Sequence, residues 1–148
     1  MKLSSILLII FCSLAFSCKA GNGIINLTDS NYAVISYTHG DSFLFKNAKA
    51  TTLTTQEIQK IEALMNKGID EHNKTEWGKI DMEYKIQLVP VINEKGEKEV
   101  WINGFCESFG NWREEIFLGI RDGGSCFFRL KINLSIGKYY DLGVNGEG

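Results

Sequence analysis

Only two histidines and one proline occur in this 148-residue chain. So few imidazoles leave little for a His-based metal centre or for proton transfer near neutral pH. His39 stands beside Asp41, and His72 follows Asp70 and Glu71; neither spacing is that of a metal-ligand series. The run Asp122-Gly123-Gly124 lacks the ligand series of a calcium loop and the lysine of a P-loop, so it reads as a turn. No cofactor is called for. No basic stripe exists either: 16 Lys and Arg intersperse with 18 Asp and Glu, for a net charge of −2, which argues against a nucleic-acid partner. Beyond the N-terminus, no apolar run approaches the ~18 residues a membrane span needs. Apolar content of 44% against 23% charged excludes the disordered class.

What is present begins with a leader. Met1 and Lys2 form a short positive start, and LSSILLIIFCSLAF, from Leu3 to Phe16, is apolar but too short to span comfortably. It ends Ala15-Phe16-Ser17-Cys18, which resembles the lipobox of bacterial lipoproteins. In that family a diacylglycerol joins the cysteine and cleavage falls directly before it. The resemblance therefore implies cleavage after Ser17 and a lipid on Cys18. The usual lipobox has Leu three places before the cysteine; here Ala15 holds that place and Leu14 the one before. An ordinary secretory signal with a chance cysteine is the other reading. Each acyl CH₂ buried in a bilayer contributes ~0.8 kcal/mol, so several chains on one terminus would hold a domain firmly. Cys12 leaves with the leader. The expected organisation is a signal peptide over 1–17, a flexible tether over 18–28 and a single domain over 29–148. Sequons at Asn26, Asn73 and Asn133 read as chance matches.

Within the domain, SCFFRLKINL alternates. Cys126, Phe128, Leu130, Ile132 and Leu134 fall on one side, and Phe127, Arg129, Lys131 and Asn133 on the other. A strand with one apolar face needs a cover, and one amphipathic helix can supply it. Thr54 with Glu57 three residues on is a capping box; Leu53 and Ile58 can staple the entry. Ile58, Ile61, Leu64, Met65 and Ile69 recur at helical spacing as far as about Lys74. Gly68 would permit a close helix-to-sheet approach. Residues 83–93 and 98–106 read as a hairpin about Asn93-Glu94-Lys95-Gly96, with Pro90 marking an edge or bulge. Residues 31–38 and 42–46 read as a second hairpin, 112–120 as a further strand, and 139–144 as the last. The fold class is therefore α+β, with one helix packed on an antiparallel sheet of about four to six strands, as in a cystatin-like roll.

Cys106 and Cys126 are the cysteines left to pair in an oxidising compartment. With 112–120 as a strand between theirs, they lie at opposite ends of the sheet, which favours free thiols; a bridge would overturn that strand order. Glu114-Glu115 and Asp70-Glu71 read as solvated surface charge. Trp101, Phe105, Phe109 and Trp112 cluster near one loop. They make either an aromatic patch for a protein or glycan on the uncovered face, or a minor second core under the N-terminal hairpin.

The phrases INEKGEKEVWIN, DGGSCFF, LKINL and KYYDLGVNGE resemble a group of short uncharacterised bacterial lipoproteins of the Gram-negative cell envelope, over about the last half of the chain. The resemblance implies a lipid anchor in a bacterial membrane and carries no catalytic residue. Lys19, not Asp, follows the lipidated cysteine, which points to the outer membrane and the periplasm. Three functions fit. The first is a non-catalytic module binding a protein or glycan through the exposed sheet face or its loops. The second is a small envelope hydrolase using Cys106 or a histidine. The third is a tethered enzyme inhibitor.

Overall fold

The structure is a computed structural model that describes residues 23–146 apart from 76, 108, 120 and 121. The leader, Cys12, Cys18 and the start of the expected tether lie outside the described residues. The elements run β1 (Tyr32–Val34), β2 (Lys49–Ala50), α1 (Thr55–Thr75), β3 (Lys85–Ile92), β4 (Lys98–Phe105), β5 (Phe127–Asn133) and β6 (Lys138–Val144). One helix packs on a six-stranded sheet of order β1-β3-β4-β5-β6, with β2 also on β3. This is an α+β fold with an open sheet. All pairings are antiparallel except β1 on β3, which is parallel.

The capping box forms as expected. Glu57 accepts the Thr54 amide at 2.8 Å, and the Glu57 amide donates to Thr54 Oγ1 at 3.2 Å. Ile61, Met65 and Ile69 are buried at one helical face. They meet Ile86, Leu88, Val100, Ile102, Phe128, Leu130 and Ile132 from three strands. Each such side chain contributes about 1.5–3 kcal/mol on burial. Gly68 has the expected role: a Cβ there would stand 3.1 Å from the Tyr139 ring and 3.4 Å from Leu142.

The other face of the same strands is covered too. Val89, Val91, Trp101, Phe105 and Phe127 form a second core with Ile35, Tyr37, Leu44, Phe45 and Trp112. Pro90 lies between the stretches of β3 paired by β1 and by β2. Its carbonyl accepts the Thr51 amide, so its missing donor faces that edge rather than β4.

Three expectations need correction. Residues 31–46 do not make a hairpin. Only Tyr32–Val34 is strand, on the edge of β3, and a 3-10 turn at His39–Asp41 leads into irregular chain. The backbone there serves β3, a distant partner that local pattern does not reveal. Residues 112–119 are not a strand: β4 pairs directly with β5, leaving no sheet edge between them to occupy. Residues 25–27, expected within a flexible 18–28 tether, belong to the fold: Ile25 is buried and held by Asn66 through both backbone groups, and the Leu27 amide donates to Glu62. In keeping with the chance reading of its sequon, Asn133 is buried and spends its amide on Glu97 and Glu99, leaving no room for a glycan.

Acid sensitivity follows from two carboxylates. The Lys98 ammonium, 2.7 Å away, and the Thr54 amide hold Glu57 below its ordinary value of 4.5. The amides of Asn93 and Asn133 hold Glu97 below the same value. Both groups are depressed in the fold, so their stabilisation is whole above pH 4.5 and drains as pH falls through the lowered values. Thermal melts should be flat from pH 7 to 5 and drop below pH 4.5. Glu57→Gln should remove roughly 1 kcal/mol at pH 7 and reduce the acid slope. An unchanged slope would contradict the assignment.

Candidate functional site

The outer layer is organised by a row of polar side chains crossing three strands. Gln87, Asn103 and Arg129 are register partners on β3, β4 and β5. Gln87 and Asn103 are buried amid aromatic residues. Burying an amide is unfavourable unless every polar atom is bonded, and here each bond goes to one irregular segment, residues 109–119, or to the neighbouring amide. Gln87 Nε2 donates to the Trp112 carbonyl at 2.6 Å and the Glu115 carbonyl at 2.7 Å, and its Oε1 accepts the Phe117 amide at 3.0 Å. Asn103 Nδ2 donates to the Phe117 carbonyl at 2.6 Å and to Gln87 Oε1 at 3.1 Å. Arg129 donates to the Leu118 carbonyl at 2.6 Å. The row fastens this segment as a strap over the second core.

The strap is closed at its base by covalent bonding. Cys106 and Cys126 form a disulfide, with Cα atoms 4.9 Å apart. The expectation of free thiols is corrected. Because no strand intervenes, the two cysteines extend the β4–β5 pairing by one residue, and the Cys106 amide donates to the Cys126 carbonyl. At its other side the strap grips the N-terminal segment. Arg113 donates to the carbonyls of Asp29, Ser30 and Tyr32 and lies 4.4 Å over the Trp112 ring.

Of the two readings of the aromatic cluster, the exposed binding patch does not hold. Trp101, Phe105 and Trp112 are buried, and Phe109 stacks on Phe117 at 4.6 Å beneath the strap. Large apolar rings on a sheet face attract a cover, and the strap is that cover. The alternative of a second core holds, although irregular chain rather than a hairpin lies over it.

What the strap exposes is different. Between it and the segment 35–43 runs a groove of about 270 Å³, lined by Ile35, Phe43, Ile116 and Leu118. Phe43 is 59% and Leu118 55% exposed. The polar lining is one-signed: Asp41, Glu114 and Glu115 border it, and neither lysine nor arginine does.

The hydrolase reading loses its parts. The disulfide takes up the Cys106 thiol. His39 is exposed in its turn, and Asp41 beside it accepts both the amide and the hydroxyl of Thr38. His72 donates Nε2–H to the Gly78 carbonyl at 3.2 Å, closing the turn after the helix. Among the described residues, no group of three or more His, Cys, Asp and Glu side chains is placed to hold a metal. Burial pushes Tyr84 up to about 12, while its hydroxyl donates to the Ser125 carbonyl.

Neither Gln87, Asn103, Phe43 nor Leu118 stood out in the sequence. The available signal was a lone amide between apolar neighbours in each of two strands, on the same side as Trp101 and Phe105. No family model, no curated protein and no solved structure matches the chain.

Proposed function

We propose that the chain is a lipid-anchored envelope domain that works by binding a protein, with the strap groove as its docking surface. Its place is the outer membrane, facing the periplasm, on the strength of Cys18 and Lys19. The observation that carries the binding reading is the pinned strap. A long irregular segment inside a compact domain is uncommon and is usually functional. Here two buried amides and a disulfide are devoted to keeping one such segment in shape. A rigid loop loses little freedom on binding, so more of its contact energy becomes affinity. The exposed Phe43 and Leu118 supply the apolar contact, and Asp41, Glu114 and Glu115 favour a partner with basic residues flanking an apolar one.

The test is photo-crosslinking in living cells from a reactive phenylalanine analogue at position 118, with position 136 on the far hairpin as control. Position 118 should yield one discrete protein adduct, and position 136 should not. Glu114→Lys with Glu115→Lys should reduce binding of that protein about tenfold, or ~1.4 kcal/mol. Equal adduct patterns from the two positions, or none from 118, would end the reading.

A further inference from the structure

Three large apolar side chains, Ile24, Trp77 and Met82, are exposed on the two segments that meet where the chain enters the fold. Gly23 lies against the last turns of α1. A Cβ there would stand 3.0 Å from Asn73 Nδ2 and 3.1 Å from the Ile80 carbonyl. Asn73 in turn clamps Ile80 through both amide atoms, donating to its carbonyl at 2.9 Å and accepting its amide at 2.8 Å. The entering chain and the segment after the helix are thus fixed side by side. Ile24 is 63% exposed and shares a cleft with Met82, which is 47% exposed. Trp77, five residues before Met82 on the same post-helix segment, is 96% exposed and borders a separate cleft of about 580 Å³ with His72 and Gly78.

An almost wholly exposed tryptophan is poorly suited to water and well suited to a bilayer interface, and Ile24 and Met82 add exposed apolar surface on the two segments that meet at Asn73. Position adds the second argument. Four residues separate Cys18 from Gly23, so five Cα-to-Cα steps span at most ~17 Å. A domain on so short a leash must present its entry end to the surface that holds it. Contact is then intramolecular, so weak apolar affinity suffices. Charge does not supply the attraction. Lys74 is paired with Asp70 at 2.6 Å, Lys79 donates to the Asn73 carbonyl, and Glu71, Asp81 and Glu83 are also nearby in the chain.

We propose that this entry end, carrying Ile24, Trp77 and Met82, is the bilayer-contact face of the domain, with Trp77 seated at the headgroup level. The proposal rests on the reading of Cys18 as the lipid-bearing residue. It orients the domain on the membrane and leaves the strap groove to its protein partner.

The experiment uses the full lipidated chain in phosphatidylcholine vesicles whose acyl chains are brominated. Trp101 and Trp112 are buried, so the difference between the native chain and Trp77→Phe isolates the emission of Trp77. Bromine should quench that emission by roughly twofold or more, equally with and without anionic lipid. Ile24→Asn combined with Met82→Gln, both at exposed positions, should lower the quenching while the protein still floats with the vesicles. Flotation with Trp77 unquenched and open to aqueous iodide would overturn the contact face and leave the anchor standing. Shielding from iodide without bromine quenching would mean that Trp77 is covered by a second copy of the chain rather than by lipid, and would overturn it equally. Failure to float would overturn the anchor, and this face with it.

Discussion

Gln87→Leu will cost about 3–4 kcal/mol, far more than its change in volume would suggest. The side chain is fully buried, and its amide serves the Trp112 and Glu115 carbonyls, the Phe117 amide and the Asn103 side chain. Leucine fits the space but leaves those groups unpaired beneath a hydrophobic layer, at roughly 1–3 kcal/mol for each that cannot reach water. The strap can lift to find water, which limits the loss below the full sum. Lifting it exposes Phe105, Phe109 and Phe127. A lower urea midpoint should therefore accompany faster proteolysis within residues 109–119. The disulfide bounds the damage, because it keeps the strap's two ends together over a sequence separation of 20. Gln87→Leu under reducing conditions should lose more than the two changes taken separately. A variant within 1 kcal/mol of the native chain, its strap still protected, would mean that the amide row is decorative.

Gly104→Ala should be of similar or greater severity, for a steric reason. A Cβ on Gly104 would fall 2.0 Å from Phe128 Cε1, 2.4 Å from Cζ and 2.6 Å from Cδ1. The two residues are register partners on β4 and β5, and the Phe128 ring lies flat over the bare glycine. The ring cannot swing aside, being fully buried and held edge-on by Tyr84 at 5.0 Å. Either the ring leaves its rotamer or the strands part, at about 3 kcal/mol or more for a single methyl group. The check is a double-mutant cycle. Phe128→Leu alone will be destabilising, but added to Gly104→Ala it should restore part of the loss, with a coupling energy above about 1 kcal/mol. Strict additivity would show that the glycine is needed for some other reason.

The two variants mark where local sequence was readable. The helix was legible because everything that defines it lies within 21 residues: the Thr54–Glu57 box, the spacing of Ile61, Met65 and Ile69, and the small Gly68 on the packed face. The β3–β4 hairpin and the alternation of β5 were legible because a turn and a period of two are local properties. The strap was not. Its residues have the aromatic and β-branched content of a strand, yet the place expected for it between β4 and β5 is absent, since these two strands pair directly. The segment 31–46 failed for the opposite reason. Its apparent turn was no hairpin because β3 offered its own edge to Tyr32–Val34.

The pattern of residues alone settled the layout of one helix on one face of a sheet, because capping and hydrophobic period act between near neighbours. Tertiary packing decided the rest. Burial of Trp101, Phe105 and Trp112 decided between a binding patch and a second core in favour of the core, direct β4–β5 pairing brought Cys106 to Cys126, and the exposed apolar surface lies instead at Phe43, Leu118 and Trp77. Exposure and pairing at those sites depend on which distant segment wins an open edge or face, and that competition is resolved only when the whole chain packs.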